Sequence, residues 1–212
     1  MLKCLYSGLL TGSEGGDEEV MEVEAHPFEP FLPEGARLLM LGTFPPAEKR
    51  WSVRFYYPNF INDMWRIVGL LFFHDKDHFV DAAQKRFRLD LLIPFLQEQG
   101  IALFDTATRI RRTTGTASDK DLEIVEQTDL HQMLRCLPHC ESIVTAGQLA
   151  TEIACSQFGV LPPKVGESVP FVFEGRQLQL YRMPSSSRAY PMKLEQKAAY
   201  YQKVFLRQQA PR

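Results

Sequence analysis

Four short strand-like segments, each ending on a small, acidic or turn-forming residue and each separated from the next by helical or hairpin patterning, restrict this chain more than any other feature. Residues 37–41 form an apolar run closed by Gly42, residues 101–104 a second closed by Asp105, and residues 142–146 a third that leads into Gly147. Residues 177–183 form the fourth and run into Pro184, pairing across Glu174-Gly175-Arg176 with residues 169–173 as a hairpin. The stripe Met64, Trp65, Ile67, Val68, Leu70 and Leu71 has helical spacing, and Asn62 and Asp63 stand ready to cap it. Further helices are expected over residues 89–99, 121–137, 147–158 and 194–206, with a loop after Asp105 that carries Arg109, Arg111 and Arg112. Strands alternating with helices predict an α/β fold whose central, mainly parallel sheet is covered on both faces. In such sheets the working loops lie beyond the carboxyl ends of the strands. Gly42-Thr43-Phe44-Pro45, Asp105-Thr106, Thr145-Ala146-Gly147 and Met183-Pro184-Ser185 are therefore expected at one rim.

Charge divides the chain. The net charge is −2, but residues 1–35 hold eight acidic residues against Lys3, which leaves the remainder at +5. Gly12, Ser13 and the clustered carboxylates up to Glu24 offer too little apolar surface to offset ordering entropy. Residues 1–26 are accordingly expected to be an acidic flexible arm, and residues 27–212 a single domain with one core. No apolar run approaches the ~18 residues of a membrane span, so no membrane partner is expected. Of four cysteines, Cys136 and Cys140 lie near His131 and His139, but Pro138 interrupts that segment and no zinc-ribbon spacing is present, so no metal site is expected. Unpaired cysteines and a polar, weakly apolar residue 2–10 stretch point to the cytoplasm.

The rim segments suggest chemistry. The turn LGTFPP (residues 41–46) couples a glycine that permits close approach of a ligand to prolines that stiffen the path, and it lacks the lysine of a phosphate loop. The segment YYPNFINDMW (residues 56–65) sets Tyr56, Tyr57 and Phe60 beside Asn59 and Asn62, offering stacking surfaces and amides, though Asn62 also reads as a plain helix cap. In MPSSSR (residues 183–188) three hydroxyls and an arginine precede a helix bearing Lys193, Lys197, Lys203 and Arg207, a composition suited to phosphate oxygens.

Taken in order, LGTFPP, YYPNFINDMWRIVG, GIALFDTATRIRR and MPSSSRAYPMKLEQK resemble the motifs of the uracil-DNA glycosylase superfamily, with the nearest likeness to its hypoxanthine-DNA glycosylase branch, over about residues 37–206. The resemblance implies a three-layer α/β/α sandwich around a central, mainly parallel four-stranded sheet, and a base flipped from double-stranded DNA into a pocket at the strand ends. It implies hydrolysis of the N-glycosidic bond of a deaminated base, hypoxanthine before uracil, without metal or organic cofactor, by a monomer in a bacterial cytoplasm or nucleoid. Carried over by position, Asn62, three residues before Trp65, is the catalytic residue; Gly42, Thr43, Phe44, Pro45, Tyr57 and Asp105 bind the base; Ser185, Ser186, Ser187 and Arg188 bind DNA. Phe44 stands where many relatives have Asp or Asn, Asn59-Phe60-Ile61 replaces His-Pro-Arg, and Gln148 replaces a lysine. These departures leave open a catalytically silent nucleic-acid-binding member of the same fold.

Overall fold

The computed structural model describes residues 22–113 and 121–205. Its centre is a five-stranded sheet in the order β5-β2-β8-β10-β9, formed by β2 (Leu38–Gly42), β5 (Ile101–Asp105), β8 (Ser142–Ala146), β9 (Ser168–Phe173) and β10 (Arg176–Met183). Neighbouring pairs among β5, β2, β8 and β10 are parallel, and β9 is antiparallel to β10. The expected four-stranded sheet is thus one strand short, because the outer arm of the hairpin continues the sheet rather than covering its edge. Every residue of β2 and β5 is buried, as unbroken apolar strands require when both faces are covered. The outer edge of β5 is closed by Phe31, which exchanges backbone hydrogen bonds with Leu103.

Helices α1 (Met64–Phe73), α2 (Leu89–Glu98) and α5 (Leu194–Phe205) meet one another through Phe72, Phe95 and Phe205. Helices α3 (Leu130–Arg135) and α4 (Gln148–Phe158) pack together, with His131 stacked on Phe158. After β2 the chain moves to β5 at one side, and after β8 it moves to β10 at the other. The direction of the strand order thus reverses between β2 and β8, and in open sheets of this kind a ligand crevice lies beyond the carboxyl ends of the strands at such a reversal.

A second sheet, in the order β1-β6-β7, was not expected. It joins β1 (Val23–Ala25), β6 (Ala107–Arg112) and β7 (Leu122–Gln127), all antiparallel. The arginine-bearing segment after Asp105 is therefore a strand, and the helix expected over residues 121–137 is reduced to α3, with β7 in its first part. The folded body also begins before residue 27: residues 22–26 of the expected arm carry β1, whose Ala25 pairs with Arg109. Residues 1–21 of that arm lie outside the described residues, as do Arg207 and residue 206 of the expected last helix. A short hairpin, β3 (Val80–Asp81) with β4 (Arg86–Phe87), precedes α2. No helix is long and apolar enough to cross a membrane, among the described residues.

Candidate active site

The parallel register brings Gly42 level with Asp105 and Ala146 level with Met183, so the four strand ends meet at one rim. A cavity of about 140 Å³ opens there, lined by Gly42, Thr43, Phe44, Pro45, Tyr57, Asn62 and Asp105, with Ser185, Ser186 and Ser187 on its edge. Tyr56, Asn59 and Ala146 also face it, as do Arg112 and Leu122 from β6 and β7. A larger open depression of about 950 Å³ lies between residues 52–54 and the β3-β4 hairpin. Its arginines Arg54, Arg86 and Arg88 are each ion-paired, with Glu48, Asp81 and Asp90 respectively, which leaves it little charge for an anion.

Asn62 has two jobs at once. Its side-chain oxygen accepts the Met64 N–H at 2.8 Å, which caps the first turn of α1. Its amide nitrogen makes no hydrogen bond among the described residues and is left as a donor at the cavity. Arg66, lying over the rings of Phe60 and Phe87, donates to the carbonyls of Phe60 and Asn62 and fixes that turn. Burial, and then the Arg188 guanidinium, lowers the Arg66 pKa from its ordinary value.

Tyr57 lines the cavity from an unusual backbone conformation. Its backbone is left-handed, with φ 50°, uncommon for an aromatic residue and a local source of strain. The ring meets Trp65 edge-on at 5.5 Å, and the enclosed hydroxyl has no hydrogen-bond partner among the described residues. Burial, followed by neighbouring Tyr201 and Asp105, raises its pKa well above the ordinary phenol value, so the hydroxyl stays neutral. By contrast Tyr201, also raised by burial, donates its hydroxyl to the Pro184 carbonyl.

Asp105 lines the cavity and is bound by His26, whose Nε2 lies 2.9 Å from Oδ2. His26 was hidden in the sequence, because it falls inside the arm expected to be flexible. Arg112 also escaped notice as a site residue. It donates to the Pro45 carbonyl, pairs with Glu24 at 2.7 Å and lies over Phe44, tying β1 and β6 to the first rim turn.

The Ser loop is anchored by a buried carboxylate. Asp63, 2% exposed, receives the Arg188 guanidinium on Oδ1 at 2.7 Å and the Lys197 ammonium on Oδ2 at 2.9 Å, while its backbone N–H donates to the Ser186 carbonyl. Lys197 also donates to the Ser187 carbonyl and is wholly buried, so it is not the surface phosphate contact its sequence position suggested. Arg188 remains about half exposed but faces Asp63 and does not line the cavity. The cysteine-histidine segment shows no metal geometry: Cys140 donates to the Ser142 carbonyl, burial pushes its thiol up to about 12, and His131 bonds the Gln157 carbonyl. No group of three metal-ligating side chains occurs among the described residues.

The chain is a mixed α/β protein with a central, mainly parallel sheet, helices and a cavity at the strand ends. A solved structure of the same fold is the solution structure of a Methanosarcina acetivorans protein described as a "putative Uracil DNA glycosylase", with 21% identity, 89% of this chain and 100% of that chain covered, and a TM-score of 0.59. No protein-family model matches the chain, and no curated protein matches it.

Proposed function

We propose that the protein is a monofunctional DNA glycosylase that hydrolyses the N-glycosidic bond of a flipped, deaminated base, hypoxanthine ahead of uracil, and leaves an abasic site. The observation that carries this reading is an amide donor, Asn62, and a carboxylate acceptor, Asp105, lining one small rim cavity. Donor and acceptor together complement a lactam, the –CO–NH– edge that deamination creates in hypoxanthine, xanthine and uracil and that adenine and cytosine lack. Guanine and thymine carry that edge with an added amino or methyl group, so against them the cavity walls Phe44 and Tyr57 must exclude by shape. A base in the duplex cannot reach such a cavity, and extrusion is cheapest for one that is mispaired.

In the reaction water adds to C1′, the C1′–N bond breaks with its electron pair leaving on the base, and the base takes up a proton. The transition state is oxocarbenium-like, and its developing negative charge lies on the base. Asn62, already oriented by its bond to Met64, donates to that charge without reorganisation. Phe44 cannot orient water, so the polar work falls to Asn62 and Asp105. No lysine lines the cavity among the described residues, and of the two that most closely follow the Ser loop, Lys193 and Lys197, the second is committed to Asp63 and Ser187, which supports attack by water rather than by an amine.

The test uses duplexes carrying a single hypoxanthine, uracil, xanthine or normal base, followed by alkaline cleavage. Abasic product with hypoxanthine first is the expected outcome, with no adduct trapped by borohydride and no loss of rate in chelator. Duplex binding with every base left intact would select the silent nucleic-acid-binding alternative, for which Phe44 and Gln148 are the motive.

A further inference from the structure

A buried histidine outside all of the rim motifs stands behind Asp105. We infer that His26 is a positioning residue that holds the Asp105 carboxylate as the acceptor for the N–H of the bound base; the inference rests on the reading of the cavity as a site for a flipped lactam base.

Three observations carry it. First, β1 delivers the residue: the ladder with β6 continues through the His26 N–H, which donates to the Thr108 carbonyl at 2.8 Å. The imidazole then turns inward, with a side chain only 4% exposed, into a ring of Phe28, Phe44, Tyr56 and Phe104. Second, Nδ1 is taken up by the backbone of residue 28, 3.2 Å from the Phe28 nitrogen and 2.9 Å from the Phe28 carbonyl oxygen. Nε2 is therefore the ring nitrogen left to donate to Asp105, at 2.9 Å. Third, the other carboxylate oxygen is confined from the opposite side, since a Cβ placed on Gly42 would come within 2.5 Å of Asp105 Oδ1. The carboxylate is therefore pinned between a ring N–H and a glycine that leaves just enough room for it. Without the histidine it would be free to turn, and an acceptor that turns no longer discriminates a ring N–H from a ring nitrogen lone pair.

The experiment compares His26→Phe, which keeps the aromatic packing and loses the donor, with His26→Gln, which keeps a donor near the Nε2 position. Each full-length variant is assayed for single-turnover excision of hypoxanthine from duplex DNA. Each is also assayed for equilibrium binding to three duplexes, containing a non-cleavable 2′-fluoro hypoxanthine nucleotide, a tetrahydrofuran abasic analogue or normal bases only. Loss of one hydrogen bond to a charged group predicts at least a tenfold fall in both excision and 2′-fluoro duplex affinity for His26→Phe. Most of both should return in His26→Gln, with affinity for the abasic analogue unchanged in both variants because no base edge is read there. Wild-type excision and 2′-fluoro binding in His26→Phe would overturn the inference, as would equal losses in both variants accompanied by loss of abasic-analogue binding, the mark of a general packing role. If the wild type excises nothing yet prefers the 2′-fluoro hypoxanthine duplex, and only His26→Phe loses that preference, the glycosylase reading fails and the positioning role stands.

Discussion

Two buried carboxylates flank the same site and are treated in opposite ways. Asp63 is saturated: Arg188 and Lys197 occupy both oxygens, and its backbone is tied to the Ser loop. The Asp105 carboxylate has a single side-chain partner among the described residues, His26, and borders the cavity. A buried charge with all of its partners inside the fold is architecture, because nothing is left over for a ligand. A buried charge with one partner and an open side holds a recognition group in reserve. The sequence alone does not separate the two, since each is an aspartate beside a predicted element end.

The largest effects should come from breaking this contrast directly. Asp63→Ala strands the wholly buried Lys197 and is expected to cost about 3–5 kcal/mol in urea denaturation. Asp105→Ala should cost only about 1–2 kcal/mol yet abolish excision in a folded protein. Equal stability losses in the two variants would erase the distinction.

Next in size is Asn62, where the cap and the donor can be separated. Asn62→Asp keeps the oxygen bonded to Met64 and removes the amide, so excision should drop by about 10²–10³-fold with the melting temperature nearly unchanged. Asn62→Ala should show the same kinetic loss plus about 1 kcal/mol of destabilisation. A wild-type single-turnover rate in Asn62→Asp would reduce Asn62 to a cap.

Smaller effects sharpen the picture at the edges. Tyr57→Phe removes an enclosed hydroxyl that lacks a partner and should raise stability by about 1 kcal/mol, whereas Tyr201→Phe deletes the bond to Pro184 and should lower it by a similar amount. Thermal denaturation of the pair reads the difference. Smallest in stability is Arg188→Ala, about 0–1 kcal/mol because the side chain is half exposed. Its effect belongs to DNA: the slope of log affinity against log salt should fall by about one if Arg188 leaves Asp63 for a phosphate. An unchanged slope would confine it to the Asp63 cluster.

What was legible in the sequence followed from local pattern. β2 and β5 are apolar runs and β8 has an apolar centre, α4 lies between Gly147 and Gly159, and α1 begins just after Asn62 and Asp63, so these positions could be read within a residue or two. β7 could not be read so, because LEIVEQ is rich in helix formers and becomes a strand through its pairing with β6. β6 does not alternate, because its only buried residues, Ala107 and Ile110, lie three apart across a shift in register. At the site, the glycine turn, Asn62, Asp105 and the serines were visible as motif residues, and the structure gathers them round one cavity. His26 and Lys197 were not visible, because what gives each its role is a partner 79 or 134 residues away.

The distance between Asp63 and Lys197 also has a consequence in time. The aspartate leaves the ribosome 134 residues ahead of the lysine that neutralises it, an interval of roughly 7–27 s at ordinary elongation rates of about 5–20 residues per second. Through most of that interval the start of α1 carries a carboxylate that cannot be buried at acceptable cost, because Arg188, 125 residues further on, and Lys197 are both still to come. β2, β5 and β8 all precede the Ser loop and the last helix in the chain, so the edge of the cavity that Ser185, Ser186 and Ser187 build is the last part of its lining to be completed during synthesis.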